Sequence, residues 1–258
     1  MSESISHARK RPVPVVLLPD QETEWVFDLG DGLEVWPWSE PPDVLLLCRT
    51  RTPKVKARSR NVPVYAYSTT TRSHLRLESG LEHDLVRELD RRSDVTWLVP
   101  QPCRLRLPAR RAGRRLEHVP DLLSQHSDGS VCLWDARASD GQDGDFLLKV
   151  RLAAEACGQV GWRHEAFIEL APTRRTNLMW ISGFRRQMPW HAAAWQFLVE
   201  AMPAEVTVGD VLALDAGGGH VISTMWHAIW AGQLECDLDR PITRATPLHL
   251  RADAPGSL

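Results

Sequence analysis

Two aspartates and an arginine stand at the ends of two apolar runs in the segment HVPDLLSQHSDGSVCLWDAR, residues 118–137. Asp121 follows a proline at the end of the first run, and Asp135 and Arg137 end the second. Carboxylates hold hard divalent cations that keep positions open for water and a phosphate oxygen, as phosphodiester hydrolysis requires. The layout is close to that of a metal-dependent nuclease, which places a lysine where this chain has Arg137.

A hairpin between the two runs would place these side chains together. Side chains two residues apart on a strand point to one face, so Asp135 and Arg137 can both face Asp121. The turn at residues 128–129 lies about midway between the aspartates, as an antiparallel register needs. The carbonyl of Ala136 offers an extra oxygen ligand. These residues alone leave two interpretations open, which are a metal site or turn acids beside a surface arginine.

Glu82 supplies a third carboxylate from the preceding segment. Its context also matches a capping box, because residues 79–82 have the S-x-x-E pattern in which the glutamate returns to the helix start. Both interpretations, helix cap and metal ligand, stay open, and one glutamate can serve in both.

The remaining ionisable residues give weaker signals. His118 lies three residues before Asp121 and is predicted to face the opposite side of the strand, in a structural role. Lys149 can reach the site in principle, but a solvent-facing position is the expectation. The other histidines show no metal spacing and are assigned no role; they include His74, His83, His164 and His191.

The elements that must position these residues can be read from apolar periodicity. An amphipathic helix is predicted over residues 79–92 and a second over 146–159. Strands are predicted at residues 95–99, 103–107, 116–123, 131–136 and 164–170, with an arginine-rich hairpin loop between the second and third. This order predicts an α/β domain with a mixed sheet whose first strands form a meander.

The regions on either side of this domain differ in their predicted secondary structure. Short apolar runs in residues 13–48 predict strands of an N-terminal extension. Helices are predicted at residues 190–201, 207–214 and 220–232, followed by a short hairpin, which would suit a winged-helix module. The expected divisions are residues 1–66 for the β-rich extension, 67–187 for the core domain and 188–258 for a mainly helical partner-binding region.

Composition excludes several classes of protein. No apolar stretch approaches the roughly 18 residues of a membrane span, the N-terminus shows no signal peptide, and the five cysteines are scattered, so a cytoplasmic protein is expected. The net charge is −2, but residues 49–60 and 104–115 each hold six basic residues and no acid. These basic clusters are interpreted either as phosphate-facing surfaces or as solvated loops.

From about Tyr67 to Arg186 the chain resembles the TnsA family, the endonuclease subunit of heteromeric cut-and-paste transposons, and especially its actinobacterial members. Six ordered segments carry the resemblance and are together far more specific than any one of them. They are LESGLEHDLVRELD, DVTWLVPQP, HVPDLLSQHSDG, VCLWDAR, AAEACGQVGWRHEAF and NLMWISGFRRQ. The first 60 and last 70 residues match more loosely.

The resemblance implies a restriction-endonuclease-like core and a magnesium site in which manganese can substitute. Glu82 falls on the family's helix carboxylate and Asp121 on its central metal-binding aspartate. Asp135 falls where the family has glutamine or an acid, and Arg137 where it usually has lysine. The implied metal ligands are therefore Glu82, Asp121, Asp135 and the carbonyl of Ala136. Arginine cannot give up a proton at usable pH, so Arg137 is expected to bind phosphate charge.

The resemblance also implies partners. The expected substrate is double-stranded DNA at transposon ends, cut on the 5′ side, while an integrase-type DDE transposase cuts and joins the 3′ ends. An AAA+ ATPase regulator is the other expected partner, with the C-terminal region as its contact. Two alternatives stay open, which are a non-cleaving scaffold of the same fold and a stand-alone restriction or repair nuclease.

Overall fold

The computed structural model describes residues 14–51, 63–203 and 205–251, which form a mixed α/β structure. Its strands are β1 Val15–Leu17, β2 Glu24–Asp28, β3 Leu33–Val35, β4 Val64–Ser68, β5 Ser73–Leu77, β6 Val95–Pro100, β7 Cys103–Arg111, β8 Arg114–His118, β9 Leu122–His126, β10 Val131–Ala136, β11 Arg163–Phe167, β12 Val206–Thr207, β13 Leu234–Glu235 and β14 Pro247–Leu250. Its helices are α1 Gly80–Asp90, α2 Gly144–Gln159, α3 Pro172–Ile181, α4 His191–Ala201, α5 Val208–Leu214 and α6 His220–Trp230.

A central sheet with the order β11-β10-β9-β6 lies between α1 and α2. Strand β10 is parallel to β11 and antiparallel to β9, so the mixed sheet that the sequence predicts is confirmed. Successive side chains of β10 alternate between the two faces. Trp134 packs in the cluster that contains Leu85 of α1, while Leu133 packs in the one that contains Ala153 of α2. Burial on both faces explains why this strand reads as a continuous apolar run.

The predicted meander is divided between two sheets. Strand β7 leaves the central sheet and pairs with β1 and β2, while β8 pairs only with β7. The arginine-rich segment predicted as a loop is mostly strand, with its turn at residues 112–113. Its strand character comes from alternation, because Leu105, Leu107 and Ala109 are fully buried on one face. The single strand predicted at residues 116–123 is also wrong, since β8 ends at His118 and β9 begins at Leu122.

Strands β1 to β3 confirm three of the N-terminal strands that the sequence predicts, whereas the apolar run at residues 43–48 forms a turn and not a strand. Strand β2 packs in the same core as α2. Trp25 and Phe27 on β2 are buried at 2% and 0% exposure and contact Trp162 edge-on, at ring-centroid distances of 5.5 and 6.2 Å. The expected division at residue 66 stays a prediction, but strand β2 shares one hydrophobic cluster with β7 and β10.

Helices α4 to α6 confirm the three helices expected after residue 187, and β13 pairs with β14 as the expected hairpin. They form a hydrophobic cluster of their own that also includes Leu178 and Ile181 of α3, a helix that the sequence analysis did not place. Arg174 of α3 donates to Glu88 of α1 at 2.6 Å. No helix in the described ranges combines the length and apolar character that a membrane crossing needs.

Hairpin β4–β5 packs against α1 and was also not placed by the sequence analysis. Its turn is fixed to the end of α1, because Asp90 accepts hydrogen bonds from the Ser68 hydroxyl at 2.6 Å and from the backbone N–H groups of Thr69 and Thr70 at 2.9 and 3.0 Å. The hairpin and α1 therefore form one rigid unit.

If the N-terminal strands belong to the core, Phe27→Ala will lower the free energy of unfolding by about 3–5 kcal/mol, because it opens a cavity in a fully buried cluster. Urea unfolding followed by circular dichroism measures this. Val35→Ala on the paired strand β3 is the control, since Val35 is 54% exposed and should cost less than about 0.5 kcal/mol. Equal small effects of both substitutions would show that these strands are separable from the core.

Candidate active site

A cavity of about 200 Å³ opens where β10 ends. The structure brings Asp121, Asp135, Ala136 and Arg137 together around it, as the hairpin register predicted. The other charged or ionisable side chains that line it are His118, Asp143, Asp145 and Lys149. Acids and bases thus share one small concave space, an arrangement typical of catalytic sites.

Backbone hydrogen bonds fix Asp121 between β8 and β9. Its N–H donates to the carbonyl of Trp134 at 2.8 Å, and its carbonyl accepts the N–H of Gln101 at 3.0 Å. The carboxylate oxygen Oδ2 accepts the N–H of Ala136 at 2.8 Å. This carboxylate is therefore held by the backbone of the strand that carries Asp135.

The pKa of Asp121 lies well above its usual range. Burial is the main cause, and the negative charges of Glu82 and Asp135 raise the pKa further. The hydrogen bond from the Ala136 N–H opposes these effects but is too weak to offset them. Ionisation of Asp121 is therefore unfavourable unless a positive charge is bound beside it.

Glu82 caps its helix as one of the two sequence interpretations predicts. Its Oε1 accepts the Ser79 hydroxyl at 2.9 Å and its Oε2 accepts the N–H of Glu78 at 2.8 Å, one residue earlier than the S-x-x-E pattern predicts. The carboxylate is buried, which raises its pKa. Glu82 does not line the cavity, and it meets Asp121 through a third residue.

Gln101 is that third residue, and the sequence analysis did not assign it a role. Its Nε2 lies 3.2 Å from Oε2 of Glu82 and 3.4 Å from the carbonyl of Asp121. It is 1% exposed and has a φ of 43°, a left-handed conformation that costs a non-glycine residue about 1–2 kcal/mol. Its Oε1 has no hydrogen-bond partner among the described residues, so a buried oxygen next to two carboxylates is left without a donor.

Asp135 is held by two histidines. Its Oδ2 accepts from Nε2 of His118 at 2.8 Å and from Nε2 of His164 at 2.9 Å. Burial raises the pKa of Asp135, but these two hydrogen bonds outweigh it and lower the pKa to about 2. Asp135 is therefore ionised at neutral pH, in contrast to the unfavourable ionisation of Asp121.

The expected outward position of His118 is wrong. Alternation holds only within one strand, and Pro120 interrupts the chain between β8 and β9, so His118 points into the same cavity as Asp121. His164 was assigned no role from the sequence. Its position follows from the parallel pairing of β11 with β10. The whole of α2 separates these two strands in the sequence, so no local spacing of residues reveals the contact.

Arg137 and Lys149 line the cavity on its basic side. Arg137 is exposed, donates from Nε to the carbonyl of Gly141 at 2.9 Å, and lies over the ring of Phe146 at 5.4 Å. Lys149, expected in solvent, instead lies 3.9 Å from Asp145 with 27% of its side chain exposed. Both cations are thus positioned beside the carboxylates without forming an ion pair to Asp121 or Asp135 in the described chain.

The buried oxygen atoms around Asp121 are of the type that a hard divalent cation prefers, but among the described residues the three ligand side chains whose atoms lie within 4.8 Å of one another are His118, Asp135 and His164. Glu82 and Asp121 are buried carboxylates that no basic side chain of the described residues pairs with, and Gln101 adds an unpartnered amide oxygen. Carboxylate and carbonyl oxygens are the ligands that magnesium prefers. In Asp135, both histidines bind Oδ2 and leave Oδ1 as the available ligand atom.

If burial and neighbouring charge raise the pKa of Asp121, then Asp121→Asn will raise the melting temperature at pH 8 in EDTA. The folded state holds this proton more tightly than the unfolded state, so wild-type stability falls as pH rises from the ordinary aspartate pKa through the raised one. The melting temperature of the variant should exceed that of wild type by about 2–4 °C for each kcal/mol of unfavourable free energy that the substitution removes. This difference should disappear near pH 4.

Thermal unfolding at a series of pH values measures this difference. Asp128→Asn is the matched control, because Asp128 lies in an exposed turn and its hydrogen bonds with Ser130 lower its pKa. That substitution should not stabilise the protein at pH 8. A melting temperature of Asp121→Asn below that of wild type across this pH range would contradict the assignment.

Comparisons with known proteins do not assign the site. No model of a known protein family matches the chain, and no curated protein matches it. The resemblance to the TnsA family therefore stays a prediction, and so do the magnesium ion, the DNA substrate and the protein partners.

Proposed function

We propose that the protein is a metal-dependent DNA endonuclease, the strand-cutting subunit of a heteromeric cut-and-paste transposase. The observation that carries the proposal is the buried pair Glu82 and Asp121, joined by Gln101 and placed beside the ionised Asp135. Strand β10 lies between helices on both faces of a mixed sheet, which supports a restriction-endonuclease-like core as part of the proposal.

Asp121, Asp135 and Glu82 are the residues that would hold magnesium, with the carbonyl of Ala136 as a further oxygen ligand. When bound, magnesium supplies a Lewis acid for the phosphate and lowers the pKa of a bound water molecule. His118 and His164 keep Asp135 ionised and fix its orientation. The backbone N–H of Ala136 orients Asp121 in the same way.

Arg137 serves as the phosphate-binding cation in this proposal. A guanidinium stays protonated at any usable pH, so it cannot act as a general base, but its planar donors can bind two phosphate oxygens. The Gly141 carbonyl and the Phe146 ring restrict its side chain at the mouth of the cavity. Lys149 adds a second positive charge on the same side.

The proposal extends to the partners that the family resemblance implies. Cutting would occur on the 5′ side of double-stranded transposon ends, with an integrase-type DDE transposase and an AAA+ regulator as partners. The cluster of α4 to α6 with the small sheet β12-β14-β13 has helices and a β wing, in keeping with a winged-helix-like contact region.

The structure changes the interpretation of the second of the two basic clusters. Most of residues 49–60 lie outside the described residues. In residues 104–115, Arg104 and Arg106 pair with Glu117, Arg111 with Asp145 and Arg115 with Glu24. Ion pairs with acids from neighbouring segments thus occupy four arginines of the second cluster, so less of its charge faces a ligand than the sequence suggested.

Asp121→Asn will reduce cleavage of end-labelled transposon DNA by more than about 100-fold, because it removes a carboxylate from a site worth several kcal/mol of transition-state stabilisation. The assay contains the partner transposase and magnesium, and sequencing gels score the strand and position of the cut. Asp128→Asn is the control and should cleave like wild type. Unchanged cutting by Asp121→Asn would contradict the proposal, while DNA binding without cutting in wild type would favour the non-cleaving scaffold.

Arg137→Ala will lower the single-turnover cleavage rate by about 100-fold, as loss of one transition-state donor usually does, while Arg137→Lys keeps the charge and most of the rate. Arg151→Ala is the matched control, since Arg151 is a 58% exposed arginine on α2 paired with Glu155. Wild-type rates in Arg137→Ala would assign the phosphate contact to Lys149, which Lys149→Ala then tests.

A further inference from the structure

A second cleft of about 830 Å³ lies between hairpin β4–β5 and the segment that follows α3. Arg72, Arg185 and Arg186 line it, together with Tyr67 and His74. It shares no lining residue with the catalytic cavity. The hairpin and α1 form one unit through Asp90, so the near wall of this cleft is rigidly connected to the helix that carries Glu82.

The three arginines of this cleft are not neutralised. No carboxylate of the described residues lies within 4.0 Å of their guanidinium groups. Arg185 instead donates to the carbonyl of Ser182 at 2.7 Å, which orients it without reducing its charge. Arginines on the rest of the described surface are frequently paired, as Arg106, Arg111 and Arg174 are. The cleft is therefore a local concentration of free positive charge.

Arg175 and Arg87 share a single carboxylate, that of Asp84. Asp84 of α1 is thus already paired and does not neutralise the arginines of the cleft.

Arg72 adds a conformational observation. It occupies the hairpin turn with a φ of 52°, in the left-handed region that costs a residue with a Cβ about 1–2 kcal/mol. The side chain of Arg72 in this strained turn makes no hydrogen bond to the described residues. Strain of this kind is found at ligand-binding positions, where the ligand contact repays it.

Aromatic side chains interleave with these charges. The chain has two tyrosines, and both Tyr65 and Tyr67 are exposed on the same face of β4. Arg76 lies over the ring of Tyr65 at 5.8 Å, and His74 contacts Tyr67 at 5.4 Å between ring centroids. Basic and aromatic groups on one face are the chemistry that binds a nucleic-acid backbone, with arginines and tyrosine hydroxyls as donors to phosphate.

We infer that this cleft, lined by Tyr67, Arg72, Arg185 and Arg186, binds the phosphate backbone of duplex DNA at a position separate from the cavity at the end of β10. The inference rests on the proposed function for the identity of the polyanion as DNA. It adds a backbone contact that positions the duplex and carries no sequence information, in line with site selection by a partner protein.

The test is the affinity of the full chain for a fluorescein-labelled duplex of about 30 base pairs and arbitrary sequence, measured by anisotropy in EDTA over a range of salt concentrations. The triple variant R72Q/R185Q/R186Q should bind at least about 10-fold more weakly at low salt. Each lost phosphate contact should also reduce the slope of log affinity against log salt by about 0.9, so the slope should fall by about 2–3. Tyr67→Phe should also weaken binding, because it removes the hydroxyl that donates to phosphate and leaves the ring in place.

The matched control is R151Q/R163Q/R240Q, which removes the same charge from arginines that are 58%, 51% and 85% exposed elsewhere on the surface. It should change the affinity less than about 3-fold. Equal weakening by both triple variants, absence of duplex binding by wild type, or displacement of the duplex by polyglutamate at equal charge would overturn the inference. Binding is measured without cleavage, so a binding chain that fails to cut would contradict the proposed function alone.

Discussion

The candidate site depends on the burial of acidic side chains at the point where β9 begins and β10 ends. Asp121 can occupy this position because the backbone of β10 and Gln101 satisfies its polar groups, and Glu82 can do so because it closes the start of α1. Hydrogen bonds orient these carboxylates but do not neutralise them. Burial without a counter-charge raises their pKa values, and this unfavourable charge is what a divalent cation would relieve.

Asp135 shows how the same fold treats a neighbouring carboxylate in the opposite way. Two imidazole donors stabilise its ionised form and lower its pKa, while Asp121 a short distance away is driven toward the neutral form. Neighbouring acids with diverging pKa values are a common mark of catalytic sites, because the two groups can then take different roles. Here Asp135 is ionised at neutral pH, whereas the ionisation of Asp121 is unfavourable and would be favoured by a bound cation. Arg137 and Lys149 add positive charge to the same cavity, where Nζ of Lys149 also lies 3.9 Å from Oδ2 of Asp145.

Much of the site could be predicted from sequence because its central hairpin is local. The Asp128-Gly129 turn sets the register, and that register places Asp121 beside Asp135. His164 and Gln101 could not be predicted, since the first depends on a parallel strand contact across α2 and the second on a left-handed backbone conformation that glutamine rarely adopts. His118 was predicted on the wrong side because its strand ends before Pro120.

The fold shows the same division between local and non-local information. Helix α1 and the mixed central sheet follow from periodicity, whereas the transfer of β7 and β8 to a second sheet depends on pairing with strands some 80 residues earlier. The arginine-rich part of β7 and β8 was predicted as a loop because Pro108 and the consecutive basic residues interrupt the alternation of polar and buried apolar residues in the sequence.

The most direct test of this account is the number of protons released when Mn²⁺ binds at about pH 5.5, obtained by titration calorimetry in buffers of different ionisation enthalpy. Binding by the wild-type chain should release protons, since Asp121 and Glu82 must ionise to accept the cation, and Asp121→Asn should bind weakly and release fewer. Binding of equal strength in both proteins, or tight binding by the wild type with no proton release, would contradict the claim that these buried carboxylates form the cation site.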